Sequence, residues 1–465
     1  MYDYEVLSIG AGSGGCASIM RSADNGKKKI ALVEYRKGGT GGTCVSRGCI
    51  PTKALLRSAQ AYEEVKNAAQ LGIVVDGARP NMKAIQQKKQ QVVTQLKFGL
   101  DNFLLKSRGV VRLTGKARLV DAHTVELTDG DKVERVTAEN IILATGTEVI
   151  RVPAFNIDGK KIMTSDEALN LSELPESMII AGAGVVGLEL AHLFATLDVK
   201  VTVVELVPQV LPLIKDKDVT DAVQKSMEKN GIKFHLGVAI NEMHVDENGK
   251  VICTLADGTA IEAELGLVAI GRRTNVADLG LEELGIEMGP KGTIVVNEKM
   301  QTNIPSIYAV GDITAGSQLS HKAQKQGLIA ADNIAGIPSR MNYDVIPSAT
   351  FIQPEVGNVG LTEAEAHEKG IETLVGKMPF SSNEKAIAMR NTNGFMKIVA
   401  EKDSHKIIGG QIFGPEASIL IEEISLAMEK GLTMEDIALS IHAHPTLSEL
   451  VMETCKSALG LAFHK

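Results

Sequence analysis

Hydrophobic positions along this chain fall into short runs broken by glycine, and the same succession occurs twice. YEVLSI, starting at Tyr4, is a short, largely apolar run of strand length. It meets G-A-G-S-G-G, then a helix-like stretch, then KIALVE, a second strand ending at Glu34. The succession returns at SMIIAGAGVVGLELAHLF and at KVTVVE, which ends at Glu205. Two later runs, IILATGTEV and GLVAIGRRTN, predict apolar strands ending at Gly146 and Gly271. Each follows a stretch with an Asp-Gly hairpin signal, LTDGDKVERV and LADGTAIEAEL. SIYAVGDIT predicts a strand ending at Gly311 and Asp312. From Lys53 to Gln70 the period changes to that of a helix, with Leu55, Leu56, Ala59 and Tyr62 on one face. After Ile346 the pattern changes again. Strands GFMKIVAE and IIGGQIFG precede a helix, EASILIEEISLAMEKG, and no third glycine motif occurs.

This order predicts an α/β protein with two Rossmann-like dinucleotide-binding domains and a C-terminal α+β domain. The expected division is 1–150, 151–275, a return to the first domain over 276–345, and 346–465. A chain of 465 residues is too long for one core.

The glycine spacing gives the repeated unit its chemistry. Gly10, Gly12 and Gly15 make G-x-G-x-x-G after a strand and before a helix, with an acid about 20 residues on. Gly182, Gly184 and Gly187 repeat it. Such glycines let backbone approach a pyrophosphate at a helix N-terminus, and the acid accepts hydrogen bonds from ribose hydroxyls. Two complete units imply two dinucleotides or an internally duplicated architecture. Asp312, at a strand's carboxyl end, faces the ligand crevice of such sheets or is a simple turn residue.

Composition narrows the function without naming it. The chain is 44% hydrophobic and 23% charged, with a net charge of −8, which disfavours a nucleic-acid partner. No run has the length and apolarity of a membrane span: the most apolar stretch carries Glu189 and His192. A start at MYDYEVLSIG, without a basic or long apolar leader, makes the cytoplasm the expected compartment. Five cysteines in so long a chain do not make a secreted disulfide framework.

Two of the five stand together in GGTCVSRGCIPTK, as Cys44 and Cys49. Neither a strand nor a regular helix brings positions five apart within disulfide reach, whereas a distorted turn does. Gly48 permits a bend, and Pro51 suits the first turn of the helix that follows. Cys49 is then near a helix N-terminus, which favours a thiolate. The pair is either redox-active or simply two cysteines buried in a loop. No metal is expected, because no second pair of cysteines or histidines has ligand spacing.

Near the end, IHAHPTLSELVMETCKSALG sets His444 before an expected helix start at Pro445 and Thr446. Thr446 and Glu449 have capping-box spacing. His444 is structural, or it is an acid–base group oriented by a carboxylate.

Taken in order, GGTCVSRGCIPTK, the paired glycine motifs, ATG, AVGD and HAHPTLSE resemble the FAD-dependent pyridine nucleotide–disulfide oxidoreductases over essentially the whole chain. LGLEELGIEM, HKAQKQG and HAHPTLSE are most similar to the branch that oxidises dihydrolipoamide. The resemblance implies FAD on the first unit, with Gly10, Gly12 and Gly15 at its pyrophosphate and Glu34 on its ribose. Asp312 would lie near the ribitol. Lys53, Gly115, Thr145, Gly146, Gly311 and the segment Gln318, Leu319, Ser320 and His321 would complete the pocket. It implies NAD on the second unit, at Gly182, Gly184, Gly187, Glu205 and Gly271. Cys44 would exchange with substrate, Cys49 would face the flavin as the charge-transfer thiolate, and Lys53 would pair with Glu189. The family works as a homodimer, so 346–465 would be the dimerisation domain. His444 and Glu449 would reach the other chain's cysteines. The implied partner is a lipoyl-bearing acyltransferase or carrier protein, because the chain holds no lipoyl-type domain of its own.

Some positions depart from the family's common pattern: Ser46 and Arg47 between the cysteines, Ser13 in the first glycine loop, and Cys16 beyond it. The nearest rival is an NADPH-dependent reductase of another disulfide, resembling glutathione reductase. Glu205 followed by Leu206 and Val207 disfavours a 2′-phosphate. Mercuric reductase usually has a terminal cysteine pair where this chain reads ALGLAFHK. A third reading is a flavin-bearing scaffold subunit of a larger complex.

Overall fold

The structure is a computed structural model, and it describes residues 1–462. Its first parallel sheet has Tyr4–Ile9 at its centre, paired on one side with Ile30–Glu34 and on the other with the long strand Lys132–Leu143. Val111–Thr114 extends one edge. Ile307–Ala309 extends the other, so the chain returns to this sheet after a long excursion. The upper part of Lys132–Leu143 leaves the parallel sheet and joins an antiparallel meander with Thr124–Asp129 and Lys116–Leu119. Gly130 supplies the positive φ, +60°, that its hairpin turn requires.

The second unit repeats this plan. Ser177–Ala181 lies between Lys200–Glu205 and Leu265–Val268, all parallel, with Lys233–Leu236 and Ile162–Thr164 at the edges. Its own meander runs through Ile240–Val245, Val251–Leu255 and Ala260–Ala263. A two-stranded antiparallel ribbon of Thr147–Val149 and Arg272–Thr274 carries the chain out of the first sheet and back towards it. The third sheet is antiparallel, in the order Ser348–Thr350, Glu355–Gly360, Ile407–Gly414, Phe395–Glu401, Thr373–Pro379. The Ala417–Lys430 helix buries Leu420, Ile421 and Ile424 in the core it shares with this sheet. No helix among the described residues is long and apolar enough to cross a membrane.

The expected strands and hairpins occur, with corrections at several element ends; the strands expected to reach Gly271 and Gly311 stop at Val268 and Ala309. The strand expected to run to Gly146 stops at Leu143, because the backbone turns at Gly146, whose φ is +67°. The final helix starts at Glu449 rather than at Pro445. Thr446 does not cap it: its hydroxyl donates to Ala443 O, while Glu449 accepts from the Thr446 N–H. Only half of the capping box forms. The helix expected over 53–70 runs from Cys49 to Lys66 and gives way to a 3₁₀ turn at Ala68–Leu71. Leu55 and Ala59 are fully buried, and Leu56 and Tyr62 pack against the same core.

Candidate active site

Both glycine motifs fold into the same local structure. Gly10 and Gly182 have φ of +110° and +107°, where an L side chain is strained. A Cβ on Gly15 would lie 1.9 Å from Gly10 O, and one on Gly187 would lie 2.0 Å from Gly182 O. Only glycine permits so close a strand–helix turn. The middle glycines differ: a Cβ on Gly12 or Gly184 would meet nothing within 4 Å. These two residues start the helices Ser13–Asp24 and Val185–Thr196, and no side chain caps either one. Open space at an uncapped helix N-terminus suits a pyrophosphate.

The acids match as well. Glu34 accepts from the N–H groups of Ala11, at 3.3 Å, and Arg36, at 2.9 Å. Glu205 accepts from those of Ala183, at 2.8 Å, and Val207, at 3.0 Å. Each carboxylate is thus fixed beside its glycine loop with lone pairs to spare for ribose hydroxyls. A pocket opens beside Glu34, lined by Ala11, Leu32, Arg36, Arg112 and Thr114 among others. The residues present therefore fit two dinucleotides. FAD, when bound, supplies a two-electron carrier between thiols and nicotinamide, and NAD accepts the hydride.

Several of the residues predicted for the FAD pocket lie just beyond the carboxyl ends of first-sheet strands. Asp312 accepts from Thr147 Oγ1 at 3.0 Å, and that hydroxyl accepts in turn from Arg272 Nε at 2.8 Å. Thr145 Oγ1 donates to Asn275 O, and Asn275 N donates to Gly146 O. Gly311 N donates to Gln326 Oε1 at 2.8 Å. Leu319 precedes the Ser320–Ile334 helix, His321 bonds Pro347 O, and Gln318 is exposed. This helix packs closely on Ser13–Asp24: a Cβ on Gly327 would lie 2.4 Å from Gly14 O. The same approach brings Ser13 Oγ to 2.6 Å from Ser320 Oγ. Gly115 turns the chain between two strands of the first region at φ +143°, and Gly271 enters the linking ribbon at φ +124°.

The cysteine segment is the distorted turn that the spacing required. Cys44 lies in a short helix, Gly42–Arg47, and Cys49 opens the next one. Gly48 separates them, packed so tightly that a Cβ there would be 3.0 Å from Thr43 O. The Cys49 thiol donates towards Cys44, so the ionisation of each affects the other. The bond from Cys49 pulls Cys44 down to about 6, against the penalty of burial. Ser320, the Lys53 ammonium and Ser13 add to the lowering. Cys49 is pushed up, first by that same bond and then by burial. One proton leaves the pair easily and the second does not. Cys16 and Cys455 are the opposite case, buried thiols that burial pushes up to about 12.

One turn after Cys49, Lys53 Nζ donates to both oxygens of Glu189, at 2.8 and 2.9 Å. His444 Nδ1 lies 3.0 Å from Glu449 Oε1. That bond raises the histidine's pKa, with the carboxylate's charge adding to it. Among the described residues no hydrogen bond joins His444 to Cys44 or Cys49 of its own chain.

Sequence reasoning missed several participants. Phe351 N donates to Glu189, and the Lys53 ammonium stands 4.2 Å from the centre of the Phe351 ring. Arg47 pairs with Asp166 at 3.0 Å, tying the cysteine segment to the second unit. Glu384 lies 3.3 Å from His444 Nε2. These are contacts between segments far apart in the chain, and no local pattern announces them.

Comparison with known proteins agrees with this geometry. Residues 4–327 match the family model described as pyridine nucleotide-disulphide oxidoreductase, and 346–455 match the dimerisation domain of the same family. The dihydrolipoyl dehydrogenase of Geobacillus stearothermophilus is 40% identical, over 99% of this chain and 97% of that protein. That of Haloferax volcanii is 39% identical with the same coverage. Among solved structures, LpdA from Mycobacterium tuberculosis superposes with a TM-score of 0.91 at 26% identity, covering 97% of this chain and 99% of that one. The HOCl-induced flavoprotein disulfide reductase RclA from Escherichia coli gives 0.87, also at 26%, covering 97% and 99%. With both family regions matched and full-length relatives near 40% identity, this chain belongs to the pyridine nucleotide–disulphide oxidoreductase family and carries its dimerisation domain.

Proposed function

We propose that this chain is a dihydrolipoyl dehydrogenase, which oxidises the dithiol of a lipoyl group and delivers the electrons to NAD⁺. The observation that carries the proposal is the cysteine pair itself: Cys44 and Cys49 flank Gly48, Cys49 opens the helix that follows, and Lys53 stands one turn further along that helix, paired with Glu189. In the oxidised enzyme, Cys44 and Cys49 form a disulfide. A lipoyl thiolate attacks Cys44, and Cys49 leaves as the thiolate. The second lipoyl sulfur then attacks the mixed disulfide, closing the oxidised lipoyl ring and releasing Cys44. Two electrons have passed to the cysteine pair and two protons must be taken up. His444, oriented by Glu449, accepts the first of them at Nε2. Lys53, held by Glu189, keeps a positive charge beside the thiolate. Gly10, Gly12, Gly15, Glu34 and Asp312 would hold FAD, and Gly182, Gly184, Gly187 and Glu205 would hold NAD.

The working unit is a homodimer built through 346–465, in which His444 of one chain serves the cysteines of the other. The domain division is the one read from the sequence, 1–150 with 276–345, 151–275, and 346–465. The lipoyl group arrives on an acyltransferase or carrier protein. Three buried cysteines, Cys16, Cys253 and Cys455, are unpaired, which suits the cytoplasm.

Steady-state turnover tests the proposal. Free dihydrolipoamide and a lipoylated carrier domain should both support NAD⁺ reduction. NADP⁺ should serve poorly, because Glu205 repels a 2′-phosphate. Faster reduction of glutathione disulfide by NADPH would replace this reading with that of a glutathione-type reductase. Absence of any turnover would favour a scaffold subunit.

A further inference from the structure

His444 is held from both sides. Glu449 occupies Nδ1 at 3.0 Å, and a second carboxylate, Glu384, stands 3.3 Å from Nε2. Glu384 opens a short helix, Glu384–Ala388, and its location is built rather than incidental. Asn383, just before it, is buried and has two tasks. Its Oδ1 caps the helix by accepting from Ala386 N at 2.9 Å, and its Nδ2 donates to Thr446 O at 3.1 Å. Thr446 lies two residues beyond His444, so one amide fixes the Glu384 helix to the histidine loop. No pattern in the sequence marks Glu384 as a partner of the histidine.

We propose that Glu384 is a positioning residue for His444: together with Glu449 it sets the imidazole between two carboxylates, one on the side of each ring nitrogen, and so favours the charged ring. The inference rests on the acid–base role proposed above for His444. Glu449 is hydrogen-bonded to one ring nitrogen, and Glu384 faces the other at ion-pair distance. Each carboxylate therefore stabilises the imidazolium over the neutral ring. The charged and titratable groups facing the ring are Glu449 from the final helix and Glu384 from the short one. His442 turns away to Glu423, at 2.9 Å, and to Ser440. Nε2 is the nitrogen left free by Glu449, and so the one that must take a thiol proton. Glu384 thus guards the reactive nitrogen. It favours the protonated ring, which serves lipoamide reduction, and it raises the pH at which the neutral ring becomes available for dithiol oxidation.

Both side chains are well over half exposed, so the effect is modest and sensitive to salt. The test is an NMR titration of His444 in the FAD-loaded dimer, using labelled histidine and no dithiol. Glu384→Gln should lower the titration midpoint by about half a pH unit, and the difference should shrink in high salt. Glu384→Asp, which keeps the charge on a shorter arm, should fall between the two. The acid limb of kcat/KM for dihydrolipoamide oxidation should move down with the midpoint. A midpoint equal in the wild type and Glu384→Gln overturns the proposal. Since the titration uses no substrate, it stands apart from the function: an enzyme inactive on dihydrolipoamide would sink that reading, while the titration would still decide for or against the role of Glu384.

Discussion

Lys53 and Glu189 meet in a two-pronged ion pair, at 2.8 and 2.9 Å, although 136 positions separate them. The first comes from the helix that begins at Cys49, the second from the helix of the second glycine motif, and Phe351 N adds a bond from the third region. Glu189 is almost fully buried, while Lys53 is one-third exposed. Removing the lysine would leave a buried carboxylate with one N–H donor. Fully buried pairs broken this way cost about 3–5 kcal/mol, and the exposure of Lys53 reduces that to about 2 kcal/mol. Lys53→Met should therefore lower the thermal midpoint of the FAD-loaded protein by several degrees. The double variant Lys53→Met with Glu189→Gln should recover part of the loss, since no charge is stranded. A single variant as stable as the wild type would show that the pair contributes nothing to the fold.

A second prediction concerns the cysteine pair. Alkylation follows the thiolate. In the reduced enzyme, iodoacetamide labelling should rise with pH around a midpoint near 6, because the Cys49 thiol donates to Cys44 and stabilises its thiolate. Cys49→Ala removes that donor, so the midpoint should rise towards the ordinary thiol range. Cys49→Ser keeps a donor and should rise less. Identical profiles in all three proteins would mean that the two sulfurs do not share a proton.

The middle glycines offer a third test, separating space for the chain from space for the cofactor. A methyl group on Gly12 meets no protein atom, whereas one on Gly15 would sit on Gly10 O. Gly12→Ala should fold normally yet bind FAD at least tenfold more weakly, because its Cβ occupies the room above the helix N-terminus. Gly15→Ala should lose stability as well as FAD. Flavin fluorescence release and thermal unfolding of the two variants distinguish these outcomes. Normal FAD retention in Gly12→Ala would show that the pyrophosphate lies elsewhere.

What could be read directly from the sequence follows a physical divide. Strands such as Tyr4–Ile9 and Ser177–Ala181 are buried on both faces, so their apolar runs stand out. The glycine motifs are legible because a steric rule dictates them within a few residues. The break at Gly48 could be anticipated from the distance constraint on Cys44 and Cys49. Helix ends were harder. Glu449 has capping-box spacing with Thr446, but the Thr446 hydroxyl donates to Ala443 O instead of capping, and the helix starts later. Arg47–Asp166, Phe351–Glu189 and Glu384–His444 were invisible. Each joins segments whose proximity only the tertiary fold decides.

The last prediction separates the two halves of the reaction at His444. Dithiol oxidation requires a proton to leave the lipoyl thiol, and in the proposed mechanism the neutral imidazole receives it. Glu449 raises the histidine's pKa by hydrogen bonding and by charge, with Glu384 adding to the second effect. The ring therefore stays protonated to higher pH than a free histidine, and dihydrolipoamide oxidation should climb as pH rises through that elevated value. Lipoamide reduction, which draws a proton from the imidazolium, should fall over the same range. General-base assistance is typically worth ~10²–10⁴ in rate. His444→Ala should lose dihydrolipoamide turnover by a factor of this order. It should still pass electrons from NADH to an artificial dye, a route in which no thiol proton moves. Glu449→Gln should show the same selective loss in milder form. The cross-chain arrangement has its own signature. Mixing Cys44→Ser chains with His444→Ala chains should restore activity in the heterodimer, where one site combines an intact cysteine pair with an intact histidine. If the mixture stays inactive while each parent dimer forms normally, the histidine serves its own chain. If His444→Ala oxidises dihydrolipoamide at the wild-type rate, the imidazole only supports the loop before the final helix.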